Sequence, residues 1–444
     1  MMQSRPLACL VLAVVGGCGE PAADLAAAHQ SLAARHRSTS GAVIRTWNEI
    51  AIAQQPTNAI RLSRTLAMVH TAMHDAVNGV LPRYERYAST LGDPDADPEA
   101  AAAASAHRVL SNQFPMNQAS LDTALASSLD AIEDGPAEDA GVALGAAVGQ
   151  SIIDFRANDG MDIPDPFTPA PGPGVWEPTP PTFSPTVEPQ FRNVTPFAIR
   201  ARDQFSLSPP PALTSWSYTR DFKEVFELGR DTSTERTEDQ THSALFWREA
   251  SPAGWSRAAN IVSVDKEFDL HETARLLALV NMVMADGFIA GVHYKRAFAL
   301  WRPVTAIQRA DTDGNPKTTA DPTWLPLRPT TLVAEYPSTH SVLGAAAADV
   351  LRRFTRKNHR LCMTSQTAEP AGTTRCWDTF TRESAFSSEA SANVNVGYHF
   401  RFSTTAGVQL GRKIGRYGFL HKLRPLRGHH DDGDDADDDD LDEN

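Results

Sequence analysis

The sequence predicts an all-α protein, and three observations support this fold class. Apolar residues recur with the 3.6-residue period of a helix in several stretches, and strand-like alternation is rare. Start and stop signals accompany the pattern: Asp97 and Pro98 fit an N-cap and a first helical position, and Asn78 with Gly79 fits a C-cap. The predicted helices span 62–80, 98–110, 120–132, 140–157, 270 to about 300, and 341–354.

The composition predicts a large folded body with an acidic extension. The chain has 444 residues, 41% of them hydrophobic, which is enough for a large core. The formal net charge is −13, but ten of the acids lie in 431–443, so the rest of the chain is close to neutral. This balance argues against a nucleic-acid-binding face. The tail at 428–444 is predicted to be a solvated, disordered extension.

The N-terminus, 1–18, is typical of an export signal. Arg5 precedes an apolar run at 7–15 that is too short to span a bilayer, and Gly-Gly-Cys18 follows. This ending resembles a bacterial lipobox, in which Cys18 is lipidated and anchors the protein to a membrane. The alternative is an ordinary cleaved signal peptide with an incidental cysteine. Either interpretation places the protein outside the cytoplasm, in the periplasm or at the cell surface.

Two further features accompany export. Once Cys9 leaves with the signal and Cys18 is lipidated, Cys362 and Cys376 remain, and an exported protein favours a disulfide between them over two unpaired buried thiols. The segment 163–188 is dense in proline and predicts an extended surface excursion. Its apolar side chains favour docking on the body over a free linker, and whether it covers a site stays open.

Two cations separated by six residues form the first candidate site motif. Lys295 lies near the end of the predicted helix that begins at 270, and Arg302 precedes Pro303, which stops further helix. A cation at a helix end can simply complement the helix dipole. Two cations directed at one point instead neutralise a multiply charged anion, since Arg offers a planar fork and Lys a point charge.

A helix start and a downstream histidine complete the set. Ser338 is a natural N-cap for the apolar stretch 341–354, and a helix N-terminus presents free N–H groups to an anion. His340 is placed as a general acid or base, although an ordinary capped helix explains it too. His399 can offer one ring nitrogen to phosphorus or vanadium if the other is held. Together the motifs predict a pocket for a tetrahedral oxyanion, phosphate or vanadate.

The strings at 294–316, 321–340 and 397–402 resemble the vanadium-dependent haloperoxidase family. That family shares its core with the type 2 phosphatidic acid phosphatases and the bacterial acid phosphatases. The resemblance covers roughly 42–420, apart from the proline-rich excursion. It implies an α-helical bundle with the site in its core and long irregular loops.

The resemblance also implies a role for each motif residue. Lys295 and Arg302 would bind equatorial oxygens of the oxyanion, and Ser338 would hydrogen-bond one of them. His340 would be the acid–base residue near the apical oxygen. His399 would be the covalent ligand to vanadium, or the nucleophile if the protein is a phosphatase.

Three positions depart from the family pattern. Thr339 stands where the family has glycine, so its side chain is expected to hinder close approach to the anion. Asn393 stands in place of an arginine, which removes one of three cations and predicts about ten- to a hundredfold weaker binding. Ser403 stands in place of the aspartate that orients the last histidine, so His399 is expected to be less well held. Arg401 and Arg309 are the candidates to compensate.

Three functions fit this sequence. The first is a vanadate-dependent peroxidase that oxidises halide or a small organic substrate with hydrogen peroxide. The second is a soluble exported phosphatase using the same pocket, since phosphate and vanadate are nearly isosteric and phosphate would compete for the site. The third is a surface lipoprotein that kept the fold and lost catalysis. The resemblance outside the motifs favours the peroxidase.

A pair of histidines elsewhere receives a structural interpretation. His70 and His74 lie one helical turn apart beside Asp75, a spacing that can chelate a metal. Their helix is strongly apolar and no glutamate follows the first histidine. We therefore expect core or supporting polar groups.

Overall fold

The computed structural model describes residues 40–54, 58–355, 359–378 and 385–426, with the backbone alone for 385–387. The predicted export signal at 1–18, with its lipidation site, and the predicted acidic extension at 428–444 lie outside these residues.

Helices dominate the described residues, which contain thirteen α-helices and one two-stranded hairpin. The helices are α1 (Ala42–Ala53), α2 (Ala59–Val80), α3 (Pro98–Gln113), α4 (Gln118–Leu129), α5 (Pro136–Arg156), α6 (Trp216–Leu228), α7 (Glu238–Phe246), α8 (Ser251–Asp265), α9 (Leu270–Phe298), α10 (Pro303–Gln308), α11 (Thr339–Thr355), α12 (Ala385–Asn395) and α13 (Arg401–His421). The strands are β1 (Leu361–Ser365) and β2 (Thr373–Trp377). The predicted helical class is confirmed, with this hairpin as the one addition.

All six predicted helices are present, but the predicted C-cap role of Asn78 and Gly79 is wrong. α2 continues through Asn78 and Gly79 to Val80, and Leu81 is its C-cap. Its side-chain oxygen instead accepts hydrogen bonds from the N–H groups of Arg83 (3.0 Å) and Tyr84 (2.8 Å) in the turn that follows. The asparagine therefore stabilises the exit loop from inside the helix.

The described helices form two bundles of similar design, the first built from α1–α5 around α2 and the second from α6–α13 around α9. The pattern Leu-Ala-x-Val-x-x-x-Met-x-Asp ends at Asp75 in α2 and again at Asp286 in α9. Each aspartate is fully buried and accepts three consecutive backbone N–H groups, from 87–89 and 197–199 respectively, at 2.6–2.8 Å. The two central helices thus tie down an incoming loop in the same way.

Glycines let the outer helices of each bundle approach closely. In α5 a glycine occurs at every fourth residue, and each one faces a carbonyl oxygen in α3 or directly before it. The glycines of α13 have the same spacing and face carbonyl oxygens in α11 or directly before it. The glycines are Gly141, Gly145 and Gly149 in α5 and Gly407, Gly411 and Gly415 in α13. Glycine lowers helix propensity, but α5 was predicted in spite of its glycines, whereas α13 was among the seven described helices that were not predicted. The second bundle carries all five predicted site residues.

Gly411→Ala is expected to destabilise the fold and loosen the site. An added Cβ would overlap the carbonyl oxygen of Val342, so α11 and α13 must separate. We expect the free energy of unfolding to fall by about 1–3 kcal/mol, the usual cost of overpacking, measured by urea denaturation. Gly172→Ala is the control, since its nearest atom would lie 3.9 Å away. Equal stability of the two variants would contradict this account of the helix contact.

α9 forms the centre of the second bundle. Among the described helices it alone is long and apolar enough to cross a membrane by length and composition, but 94% of its most apolar window is buried inside the protein. It is therefore a core helix. It ends at Phe298, and its C-cap Ala299 adopts a left-handed conformation (φ 46°), which turns the chain between Lys295 and Arg302.

The proline-rich segment at 163–188 packs on this same turn. The N–H of Trp176 donates to the carbonyl oxygen of Ala299 (2.6 Å), and the N–H of Trp301 donates to that of Gly174 (2.9 Å). Trp176 is buried. The segment therefore docks on the body, as its apolar side chains predicted, and braces the chain that carries Arg302.

The hairpin contains the predicted disulfide. Cys362 of β1 lies directly opposite Cys376 of β2, and their sulfur atoms are bonded. Leu361 and Met363 alternate with exposed residues and are buried against the body. The disulfide is therefore confirmed over the alternative of two buried thiols.

Candidate oxyanion site

The second bundle brings the five predicted residues together. Lys295 is in the last turn of α9, Arg302 caps α10, Ser338 precedes α11, His340 is in its first turn, and His399 lies two residues before α13. Burial lowers the pKa values of His340 and His399, and the charges of Arg302 and Lys295 lower them further. Arg302 also contacts His399 directly, at 3.1 Å from Nε2.

Arg302 is the most heavily bonded of the five. Its fully buried guanidinium donates to the carbonyl oxygens of Val333 (2.7 Å) and Tyr398 (2.8 Å), the hydroxyl of Thr331 (2.7 Å) and Nε2 of His399 (3.1 Å). Burial lowers the pKa of Arg302 to about 10, so the group stays charged at neutral pH. It fixes the loop before α11 to the loop before α13.

Lys295 supplies the second buried cation. Its ammonium donates to the carbonyl oxygens of Ala334 (2.6 Å) and Glu335 (3.0 Å). Because an ammonium has three N–H groups, these bonds leave one for an anion. Burial first, and the charge of Arg302 second, hold the pKa of Lys295 well below its usual value. A bound anion would offset both effects.

Ser338 and His340 present the start of α11 to the cations. The hydroxyl oxygen of Ser338 accepts from the N–H (3.4 Å) and the hydroxyl (3.1 Å) of Ser341. Ser338 thus caps the helix as predicted. As an acceptor in both bonds, it retains its own hydrogen for donation. His340 is half-buried, and desolvation together with the two cations lowers its pKa to about 4. The ring is therefore neutral at neutral pH and can accept a proton.

His399 is held in one tautomer. Its Nδ1 lies 2.9 Å from Oε1 of Glu335 and therefore carries the hydrogen, while Nε2 accepts from Arg302. Burial and the nearby cations hold the pKa of His399 well below its usual value, so the ring is neutral. Burial also raises the pKa of Glu335 to about 7, against the opposing effect of the cations. The lone pair of Nε2 thus points toward the cationic side.

Glu335 is the functional residue that sequence reasoning missed. The serine at 403 was expected to leave His399 without a carboxylate partner, but Glu335 supplies one from 64 residues earlier. The hydroxyl of Ser403 is 3.5 Å from Nδ1 and 3.3 Å from the carbonyl oxygen of Glu335. An acid directly before the Tyr-Pro-Ser turn was the only available signal.

The two arginines proposed as compensators are engaged elsewhere. Arg401 pairs with Glu224 at 2.6 Å, and Arg309 pairs with Glu177 at 3.0 Å. Both ion pairs are partly exposed, and neither involves one of the five predicted site residues. The expectation that either arginine replaces the family's third cation is therefore wrong in this structure.

Thr339 is accommodated by a glycine of α9. A Cβ added at Gly291 would lie 2.5 Å from the Thr339 methyl group, so this methyl occupies the space that Gly291 leaves. The side chain is thus directed toward α9. The expectation that the Thr339 side chain hinders close approach to the anion is therefore wrong.

Asn393 supports the His399 loop. Its side-chain amide donates to the carbonyl oxygen of Glu389 (2.8 Å), and its own carbonyl oxygen accepts from the N–H groups of Tyr398 (3.1 Å) and His399 (3.2 Å). The residue thus braces the loop through its backbone, and its side chain brings no charge.

Glu389 predicts a pH-dependent stability. This fully buried carboxyl accepts from Ser251 (2.9 Å) and Trp255 (3.1 Å), and burial raises its pKa from 4.5 to about 8. The folded state keeps a proton that the unfolded state loses, so the stabilisation is complete below pH 4.5 and is lost as the pH rises to about 8.

Glu389→Gln removes this titration, so its deficit in unfolding free energy relative to the wild type should shrink between about pH 5 and pH 9. Urea unfolding at several pH values measures the deficit. A constant deficit across that range would contradict the argument.

His70 and His74 have structural partners. Nε2 of His70 lies 2.8 Å from the Asn48 side chain, and Nδ1 of His74 lies 3.3 Å from Asp75. Both histidines are fully buried in α2. Their contacts agree with the structural interpretation of this pair.

The donor set suits an oxyanion. Within the part of the chain that the structure describes, no group of three or more His, Cys, Asp or Glu side chains is placed to hold a bare metal ion. The site offers two buried cations, a hydroxyl, a helix N-terminus and an imidazole nitrogen. These are the groups that bind and neutralise a multiply charged oxyanion.

Comparison with known sequences connects the second bundle to one family. The family described as the VCPO second helical-bundle domain matches residues 275–428. This range includes all five site residues and Glu335. No curated protein matches the sequence.

Solved structures extend the likeness to the whole fold. The structure titled as the first bacterial vanadium-dependent iodoperoxidase aligns with a TM-score of 0.74 at 24% identity, covering 86% of this chain and 96% of that one. A holo-type bacterial vanadium-dependent chloroperoxidase aligns with a TM-score of 0.66 at 17% identity, covering 82% and 91%. Its apo-type counterpart aligns with a TM-score of 0.64 at 16% identity, covering 82% and 93%. At these identities the alignments establish the fold.

Proposed function

We propose that this chain, which has the vanadium haloperoxidase fold, is a vanadate-dependent haloperoxidase. The match of residues 275–428 to the VCPO second helical-bundle domain supports the proposal. The substrates in this proposal are hydrogen peroxide and a halide or small organic molecule. The observation that carries the proposal is the neutral His399, whose Nε2 lone pair faces the cation Arg302 while Glu335 holds Nδ1.

The residues divide the work of holding vanadate. Lys295 and Arg302 would neutralise the charge on its oxygens, with Arg302 already fixed by its backbone bonds. Ser338 would donate its hydroxyl hydrogen to one oxygen. His399 would supply Nε2 as the ligand atom, once its lone pair is released from the hydrogen bond with Arg302. Vanadate, once bound, acts as a Lewis acid that activates hydrogen peroxide toward the halide.

His340 is the proton carrier in this proposal. It lies in the first turn of α11, within the field of both cations, and its ring is neutral. A neutral imidazole beside the anion can accept a proton from an incoming hydroxyl group and return it to a leaving one.

Vanadate titration separates this proposal from its alternatives. Thermal stability is followed as vanadate is added, and then oxidation of iodide, bromide and chloride by hydrogen peroxide is measured, with phosphate as competitor. Saturable vanadate-dependent oxidation that phosphate inhibits supports the proposal. Hydrolysis of a phosphate monoester without peroxidase activity would identify a phosphatase. Neither activity, with no vanadate-dependent stabilisation, would leave a protein that kept only the fold.

Export and lipid anchoring form part of the same proposal. The pattern at 1–18 supports them, and the Cys362–Cys376 disulfide is typical of an oxidising compartment. Metabolic labelling with a fatty acid tests the anchor, since Cys18→Ser should abolish the label. Label that persists in this variant would exclude Cys18 as the lipidated residue.

A further inference from the structure

We infer that Glu335 is the positioning residue for His399, taking over from outside α13 the task that the family assigns to an aspartate inside it. The inference rests on the proposed function for its consequence but on geometry for its evidence. Oε1 of Glu335 accepts from Nδ1 of His399 (2.9 Å) and from the N–H of Phe400 (3.0 Å). One carboxylate oxygen thus fixes both the ring and the backbone that follows it.

The local structure makes Glu335 rigid. Its N–H donates to the carbonyl oxygen of Leu300 (2.9 Å), and its own carbonyl oxygen accepts from Lys295 (3.0 Å) and the Ser403 hydroxyl (3.3 Å). The residue is fully buried. A carboxylate held by its backbone at three points presents its side chain in one direction, as a positioning group requires.

Ser403 has a different task from the aspartate that it replaces. Its hydroxyl is 3.5 Å from Nδ1 of His399, at the limit of a hydrogen bond, and closer to the backbone of Glu335. It therefore supports Glu335 and contributes little to the ring directly. The orienting carboxylate has moved from one turn beyond His399 to the segment before α11.

The new position couples two parts of the anion site. The side chain of Glu335 holds His399, while its backbone carbonyl holds Lys295. One residue thus sets the separation between a cation and the imidazole. An aspartate at position 403 would hold the ring without this link to Lys295.

Three variants test the inference. Glu335→Ala removes the carboxylate, Glu335→Gln keeps its volume and one acceptor oxygen, and Glu335→Ala with Ser403→Asp restores a carboxylate within α13. Two readouts are used for each. The first is ¹⁵N NMR of the imidazole in vanadate-free protein, with the His399 signals assigned by their loss in His399→Ala. The second is vanadate affinity from thermal stabilisation.

We expect Glu335→Ala to reduce the population with hydrogen on Nδ1, because only the hydrogen bond from Arg302 to Nε2 then favours that tautomer. Vanadate binding should weaken about 10- to 100-fold, the usual effect of losing such a partner. Glu335→Gln should lie between the wild type and alanine, and it carries the test if alanine does not fold. The double variant should recover the tautomer and most of the affinity. Glu389→Gln, which changes another fully buried carboxyl, should leave both readouts unchanged.

The inference is overturned if folded Glu335→Ala and Glu335→Gln both keep the wild-type tautomer and affinity. It is also overturned if Ser403→Asp restores neither readout. If the wild type does not bind vanadate, the proposed function fails, but the NMR readout still tests Glu335. The two failures are therefore distinguishable.

Discussion

His399→Ala is expected to abolish vanadate binding and peroxidase activity while leaving the fold in place. The substitution removes the only imidazole in the described site whose second nitrogen is held by a carboxylate. It also leaves the Arg302 guanidinium and Oε1 of Glu335 each short of one partner. We expect the free energy of unfolding to fall by about 2–4 kcal/mol. Halide oxidation and vanadate-dependent thermal stabilisation measure the functional effect.

A matched histidine separates loss of function from loss of stability. His70→Ala truncates another fully buried, hydrogen-bonded histidine, in the first bundle. It should destabilise the protein comparably but leave vanadate affinity unchanged. Added imidazole can enter the space left in His399→Ala and restore part of the binding, and it should have no such effect on His70→Ala. Full peroxidase activity in His399→Ala would exclude our assignment of the ligand.

The sequence predicted six of the thirteen described α-helices, because their apolar period reports directly on burial. α2, α3 and α9 carry long apolar faces and recognisable caps. α13 has glycine at every fourth residue, and this pattern gains meaning only when the carbonyl oxygens of α11 are seen to fit against it. Tertiary contact explains those glycines, and a single sequence does not display it.

The site shows the same limit in its chemistry. Lys295, Arg302 and His340 were predicted because spacing and residue type are local properties. Glu335 was missed because its partner, His399, is distant along the chain and only the fold joins them. The expectation that Thr339 hinders the anion was wrong for the same reason. Gly291 of α9, which is distant along the chain, leaves the space that its methyl group occupies.

Arg302→Ala is expected to lower the free energy of unfolding more than His399→Ala does. The wild-type guanidinium satisfies four acceptors, of which the Tyr398 carbonyl oxygen and His399 Nε2 are fully buried and the other two partly buried, and alanine leaves the carbonyl oxygens of Val333 and Tyr398 without that donor. Each buried acceptor left unpaired costs about 1–3 kcal/mol, so with partial relaxation we expect a loss of about 3–5 kcal/mol. Urea unfolding measures the loss, and proteolysis resistance reports whether the loop before α11 detaches.

Arg302→Lys separates the charge from the geometry. Lysine keeps the cation but has three donors in place of a rigid fork, so it cannot reach the loops on both sides at once. We expect a smaller loss, about 2 kcal/mol, together with vanadate binding weakened about tenfold or more. Arg309→Lys is the control, because the ion pair of Arg309 with Glu177 is partly exposed. This substitution should change the free energy of unfolding by less than about 1 kcal/mol. If Arg302→Lys instead matched this control in both the free energy of unfolding and vanadate affinity, the buried guanidinium would act as a charge alone. The hydrogen bonds that join the two loops would then not determine the geometry of the site.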